Sequence, residues 1–228
     1  MKTTLTHLTP LLTALSLSSA SLAAADFRLA SVLSDHMVIQ RDKPVAVWGW
    51  ADAGETVSVA FAGQSKSATA GTDGEWSLKL DSLAASTEPR TLIATGKNGR
   101  KIEVKDVLVG EVWLGSGQSN MAMTVAGCYH VDAEKAAANH PLIRHYRESS
   151  GPAEQPQAEG QGAWQLCTPD TVGSFSAALY FFGREIHREL GVPVGLINTS
   201  VGGTRIESWV AAEVQSSDPQ TKASYDIR

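Results

Sequence analysis

Cysteine is scarce in this 228-residue chain: there are two, Cys128 and Cys167. Two cysteines are too few for a disulfide-stapled miniature fold and for a four-ligand thiolate zinc site, so the chain must fold by burying a core. Its 43% hydrophobic content is enough to do so. Positive charge is also in short supply. With 19 Lys and Arg against 24 Asp and Glu the formal charge is −5; no basic run occurs, which argues against nucleic acid or an anionic membrane surface as partner. No long apolar run can span a bilayer, since the stretch from Leu11 to Leu22 is short and broken by Ser and Thr. Internal repeats are absent, and so is the Gly-x-Ser-x-Gly elbow of the α/β-hydrolases.

Residues 1–25 read as a secretory signal: Lys2 at the start, the Leu11–Leu22 stretch, then Ala23-Ala24-Ala25 as a cleavage site before Asp26. This implies a periplasmic or secreted protein, and residues 1–25 are expected to be missing from the mature chain. In an oxidising compartment Cys128 and Cys167 either pair or remain two buried thiols; the sequence leaves both open.

From Val45 to Val104 the chain reads as short alternating strands: Val45–Trp50, Thr56–Phe61, Trp76–Leu80, Thr91–Thr95 and Lys101–Val104. Asp73-Gly74 and Asn98-Gly99 supply hairpin turns because Gly accepts positive φ. Residues 26–106 are therefore expected to form a β-sandwich accessory domain. Trp48, Trp50 and Trp76 read mainly as core residues, with a sugar-stacking platform as the other reading.

Beyond residue 106 strands alternate with helices. Strands are expected near 107–114, 142–146 and 192–197, and helices over 131–139 and 174–190, the second ended by Gly191 and Pro193. Thr204-Arg-Ile-Glu207 has the form of a capping box opening another helix. The alternation predicts a parallel sheet with helices on both faces.

The centre of the sequence is Gly110-Glu-Val-Trp-Leu-Gly-Ser-Gly-Gln-Ser-Asn-Met121. An apolar run stops at Gly115-Ser116-Gly117, so Ser119 follows a strand end with its hydroxyl accessible. Gln118 and Asn120 bring amide donors beside it, and backbone N–H groups of the turn can face an oxyanion. A plain Gly/Ser-rich connector is the other reading. Gly202-Gly203, just after the strand near 192–197, marks a second turn at the carboxyl end of the sheet, where ligands gather.

The 110–121 block resembles the nucleophile block of the sialate O-acetylesterase family, within the SGNH-hydrolase superfamily. Val192 to Trp209 and Leu33 to Arg41 are similar to two further stretches of that family. Gly115 stands where the family often has Cys, and Val201 where it often has Trp. The resemblance implies an α/β fold: the N-terminal β-sandwich, then the first half of a flavodoxin-like, three-layer α/β/α domain over 107–228. It implies a cofactor-free and metal-free carbohydrate esterase in which Ser119 attacks an O-acetyl group of sialic acid or a related sugar. Gly202 or Gly203, with Gln118 and Asn120, would bind the oxyanion or substrate. An acetylxylan-type esterase and a non-catalytic sugar-binding or structural protein are the alternatives. The family's Asp-x-x-His occurs nowhere, and its third block is absent. His36, His130, His140, His145 and His187 read as solvated or core histidines. The expectation is a partial catalytic domain that is impaired alone.

Overall fold

A computed structural model describes residues 26–151, 153, 155–220 and 222. The signal expected over residues 1–25 lies outside the described residues.

In chain order the first strands are β1 (Arg28–Leu29), β2 (Val38–Gln40), β3 (Val45–Trp50), β4 (Thr56–Phe61), β5 (Gln64–Thr69), β6 (Glu75–Leu80) and β7 (Ser86–Thr95). β8 (Lys101–Gly115) follows, and then the short helix α1 (Ser119–Ala122) and α2 (Val131–Ala137). The remainder comprises β9 (His140–Glu148), β10 (Gly162–Cys167), α3 (Ala177–Leu190), β11 (Val194–Asn198) and α4 (Ala212–Ser217). Mixed sheets with few helices place the chain in the α/β class.

β1, β3 and β6 form an antiparallel three-stranded sheet, and an eight-stranded sheet runs β10-β9-β11-β8-β7-β4-β5, with β2 paired to β8. Alternation along the strands explains the core between them. Val45 and Val47 of β3, Leu80 of β6, Val57 and Val59 of β4, and Leu92 and Ala94 of β7 all turn inward into one cluster. The strands expected from Val45 to Val104 are therefore present. β5 is an addition. Its sequence, Gln-Ser-Lys-Ser-Ala-Thr, has no apolar alternation because it is an edge strand with half its residues in water.

β8 carries the chain through position 106 without leaving the sheet. Its first part pairs antiparallel with β7 (Thr95 opposite Lys101, Ser86 opposite Val109), and its last five residues pair parallel with β11. Asp106, with a positive φ of 54°, sits at an irregularity in the β7–β8 register, between Val104 opposite Leu92 and Val107 opposite Arg90. The Asp106 carboxylate accepts from Arg144 of β9 at 2.9 Å and lies 2.7 Å from His36 Nδ1, so the bend is pinned by charge as well as by backbone.

The expected strands and helices after residue 106 are found, with two corrections. First, the parallel strands run β9-β11-β8, with the last of them between the other two. A flavodoxin-like sheet begins 2-1-3, with its first strand in the middle. The unforeseen β10 turns back on β9 and takes the edge. Second, helices do not cover both faces among the described residues. α3 packs on one face, where Ile143, Leu179, Tyr180, Val194 and Leu196 form a second cluster. The other face is covered by the N-terminal segment: Trp164 Nε1 donates to the Val32 carbonyl at 2.8 Å, Tyr146 Oη lies 2.9 Å from Ser31 Oγ, and both rings join the first cluster.

One buried charge group ties together loops of the N-terminal half. Glu55, 5% exposed, accepts from the Lys97 N–H at 2.6 Å and the Asp52 N–H at 3.1 Å and pairs with Arg100. Removing a carboxylate from such a site strands the donors that surround it. Glu55→Ala is expected to cost about 3 kcal/mol of stability, read as a lowered midpoint in urea denaturation. A cost within about 0.5 kcal/mol, typical of surface changes, would show that the group is not structural.

Candidate functional site

Ser119 stands at the carboxyl end of β8, in the first position of α1, and is exposed. The turn before it needs Gly117, whose φ is 118°. Two bonds stitch this turn to the segment after β11: Thr199 N–H to the Gly115 carbonyl and Val201 N–H to the Gly117 carbonyl, both 2.9 Å. They bring Gly202 against Ser119. A Cβ placed on Gly202 would lie 3.8 Å from Ser119 Oγ and 3.9 Å from its Cα. Gly203, with φ of 82°, completes the turn. Two stretches about eighty residues apart in sequence thus meet at one hydroxyl.

Around it the backbone is left unpaired. Among the described residues the N–H groups of Ser119, Asn120, Gly202 and Gly203 have no hydrogen-bond acceptor. Gln118 and Asn120 are exposed beside them. A cavity of about 320 Å³ opens next to the serine, lined by Ser116, Gly117, Gln118, Ile206 and Trp209. The last two residues arrive on a turn that is not the expected capped helix. Residues 206–209 are a 3-10 turn preceded by Arg205 with no side-chain cap, and α4 begins only at Ala212. Thr204 fails as a cap because its hydroxyl is spent elsewhere: it donates to the Val201 carbonyl at 2.8 Å and accepts from Trp209 Nε1 at 2.9 Å. The same hydroxyl therefore fixes the indole that walls the cavity.

Sequence reasoning missed the clamp under α1. Ser176 Oγ donates to the Met121 carbonyl at 2.6 Å and accepts from Leu179 N–H at the start of α3. Ala177 N–H reaches the Met123 carbonyl at 2.8 Å, and Val125 N–H reaches Phe175. A serine just before an apolar helical stripe is the signal for the cap; nothing local signals its bond to Met121.

None of the five histidines bonds Ser119 Oγ among the described residues. His36 faces Asp106, His130 sits at positive φ before α2 beside Tyr129, and His187 Nδ1 lies 2.7 Å from the Val192 carbonyl. His140 is held below its ordinary pKa by burial and by the Arg184 charge. His145 is 1% exposed, stacked on Phe175 at 4.5 Å, and burial pushes it down to about 4. Its Nε2 accepts from Ser176 N–H at 3.3 Å, so it is a neutral core acceptor. Of the two states open to the cysteines, the structure holds free thiols and no bridge. Cys167 is sealed in the core with its thiol pushed up to about 11, while Cys128 Sγ turns back toward the Thr124 carbonyl at 3.8 Å.

The sequence model of a carbohydrate esterase family, described as sialic acid-specific acetylesterase, matches residues 109–225. The chain belongs to this family. A sialate O-acetylesterase of Rattus norvegicus is 35% identical over 208 aligned residues, covering 82% of this chain and 38% of that protein. One of Homo sapiens is 34% identical over 206 residues, covering 82% and 39%. The crystal structure of a carbohydrate acetylesterase from Xanthomonas citri superposes with a TM-score of 0.80 at 36% identity, covering 84% of this chain and 44% of that one. The chain thus spans well under half the length of the relatives it matches.

The two departures from the usual family pattern have local settings. At Gly115 a Cβ would lie 2.6 Å from the Leu179 side chain, so glycine lets α3 approach the strand end. Val201 is 52% exposed and contributes its backbone N–H to the stitch.

Gly202→Ala is expected to leave the melting temperature nearly unchanged, since the added methyl meets only ordinary contacts, while Gly203→Ala costs about 1 kcal/mol through its positive φ. Thermal melts of both variants check this. His145 sets a pH window. Its folded pKa lies below the ordinary value, so its contribution is whole above about 6.5 and is lost as pH falls toward about 4. The loss should approach about 3 kcal/mol, and His145→Gln should flatten the stability profile between those limits.

Proposed function

We propose that this chain carries the nucleophile and part of the oxyanion site of a secreted or periplasmic carbohydrate O-acetylesterase. The observation that carries the reading is the contact of Gly202 with an exposed Ser119 whose flanking N–H groups are unpaired. Ser119 Oγ attacks the acetyl carbonyl carbon, and its proton passes to a base. The carbonyl oxygen, now negative, is held by N–H donors from Ser119 and from Gly202 or Gly203. Collapse expels the sugar hydroxyl and leaves acetyl-Ser119, which water hydrolyses. Gln118 and Asn120 bind substrate at the rim, and the Trp209 wall receives the apolar part of the ester or sugar. Membership of the family supports sialic acid as the sugar bearing the acetyl group, with acetylated plant polysaccharide as the other substrate class.

We further propose that residues 26–106 act as the accessory layer of an SGNH-type catalytic domain that starts at 107. Its uncovered elements would be supplied in the longer relatives. We place the base in the part of the longer relatives that this chain does not span. A lone serine hydroxyl is a weak nucleophile, and loss of its base lowers turnover by about 10⁴–10⁶. The 228-residue chain alone is therefore expected to release acetate slowly from p-nitrophenyl acetate and to accumulate acetyl-Ser119, read by peptide mass spectrometry. Ser119→Ala should abolish both signals. Equal turnover in the wild type and Ser119→Ala would overturn the nucleophile assignment.

A further inference from the structure

A second cavity, of about 340 Å³, lies against the three-stranded sheet. Trp48, Trp50, Trp76, Glu75 and Ser77 line it, and Ala158 of the loop between β9 and β10 closes one side. Its volume falls in the range of about 300–1,000 Å³ usual for small-molecule sites. It shares no lining residue with the cavity beside Ser119.

Strand geometry explains how the side chains meet. Trp48 and Trp50 are two apart on β3 and project from one face. The antiparallel register sets Ser77 opposite Trp48 and Glu75 opposite Trp50, so these two polar side chains share that face. Both indoles are half-buried, unlike Trp76, which is 3% exposed and packs in the core. Trp50 is fixed in place. The Arg28 guanidinium stacks 4.1 Å from its ring centroid and donates two bonds of 2.8 Å to Glu159 of the same loop. A ring held in this way loses little freedom when something else packs on it.

We propose that this is a carbohydrate-binding site that takes a neutral pyranose unit of a glycan. The apolar C–H face of a pyranose matches the negative faces of Trp48 and Trp50, while Glu75 and Ser77 suit ring hydroxyls. The charge favours a neutral sugar. Arg28 is committed to Glu159, and the Glu75 carboxylate repels an acidic one. The loop that closes the cavity leaves the carboxyl end of β9, the end of the parallel sheet at which Ser119 stands. A glycan held at the platform is therefore kept near that end. The site is independent of the esterase reading, since no step of it involves Ser119.

The test is affinity electrophoresis of the full chain in native gels cast with neutral polysaccharides (xylan and glucomannan) or with polysialic acid. Retardation is expected in a neutral gel and not in polysialic acid. Trp48→Ala and Trp50→Ala should weaken it at least about tenfold, as loss of an aromatic anchor does. Ser77→Arg changes an exposed residue and fills the cavity without touching the core, so it should abolish retardation while the circular dichroism melt stays as in the wild type. Trp209→Ala should retain it. Absence of retardation in both neutral gels would overturn the proposal, as would stronger retardation in polysialic acid. Loss of binding in Trp209→Ala but not in Ser77→Arg would place the sugar beside Ser119 and overturn it too.

Discussion

The register of β8 is the constraint on which the rest depends. Val107, Leu108 and Val109 are 0–1% exposed where β2 and β7 flank the strand, just before β11 pairs with it from Glu111. A slip by one residue would move Val107 and Val109 off the face they fill in the first core cluster. It would also displace Gly115 and Gly117, whose carbonyls receive Thr199 and Val201. The position of Ser119 is thus set in part by strands that precede Asp106 in sequence, β2 and β7. The two halves cannot be treated as independent bodies joined by a linker, even though the sequence changes character near residue 106.

The parts of this arrangement that were legible in the sequence are those governed by local pattern. Alternation in Val45–Trp50 and Thr56–Phe61 gave strands because one face of each is buried, and Gly191 marked the end of α3 because it adopts a left-handed φ of 64°. What was not legible was decided by partners distant in sequence. β10 follows a polar loop and is a strand because Trp164 finds Tyr146 and the Val32 carbonyl. The face expected to carry helices is covered by residues 31–39 instead, a segment with almost no regular structure of its own. Thr204-x-x-Glu207 has the right letters for a capping box, yet tertiary bonds claim its hydroxyl first.

At the candidate site the same division holds. Ser119 and Gly202 stood out because glycine-rich turns after apolar runs are local signals, and the family-like blocks enclose both. Their contact is a tertiary fact, made by two backbone bonds between loops. His145 and Ser176 gave no functional signal, because a buried histidine and a helix-capping serine read as ordinary structure. They are ordinary structure, and their role is to hold α1 still. His145 stays neutral because burial disfavours its cation, which keeps its Nε2 available as the acceptor that Ser176 N–H needs.

The site therefore combines a fixed base with an open top, and that contrast bears on how strong the chemistry can be. Hydrogen-bond donors stabilise an oxyanion in proportion to the water they exclude, since an effective dielectric near that of bulk water weakens them severalfold. Ser119, Gly202 and Gly203 are exposed. The wall that does exist has apolar surface to spare: Ile206 is 73% exposed, and Val214, farther along the same segment, is 53% exposed. Apolar side chains left in water beside a cavity gain free energy when something covers them. Covering this rim would bury Ile206 and dry the donors in a single step. On the proposed reading, covering Ile206 and Trp209 would therefore strengthen the donors around Ser119 by the same step that buries apolar surface.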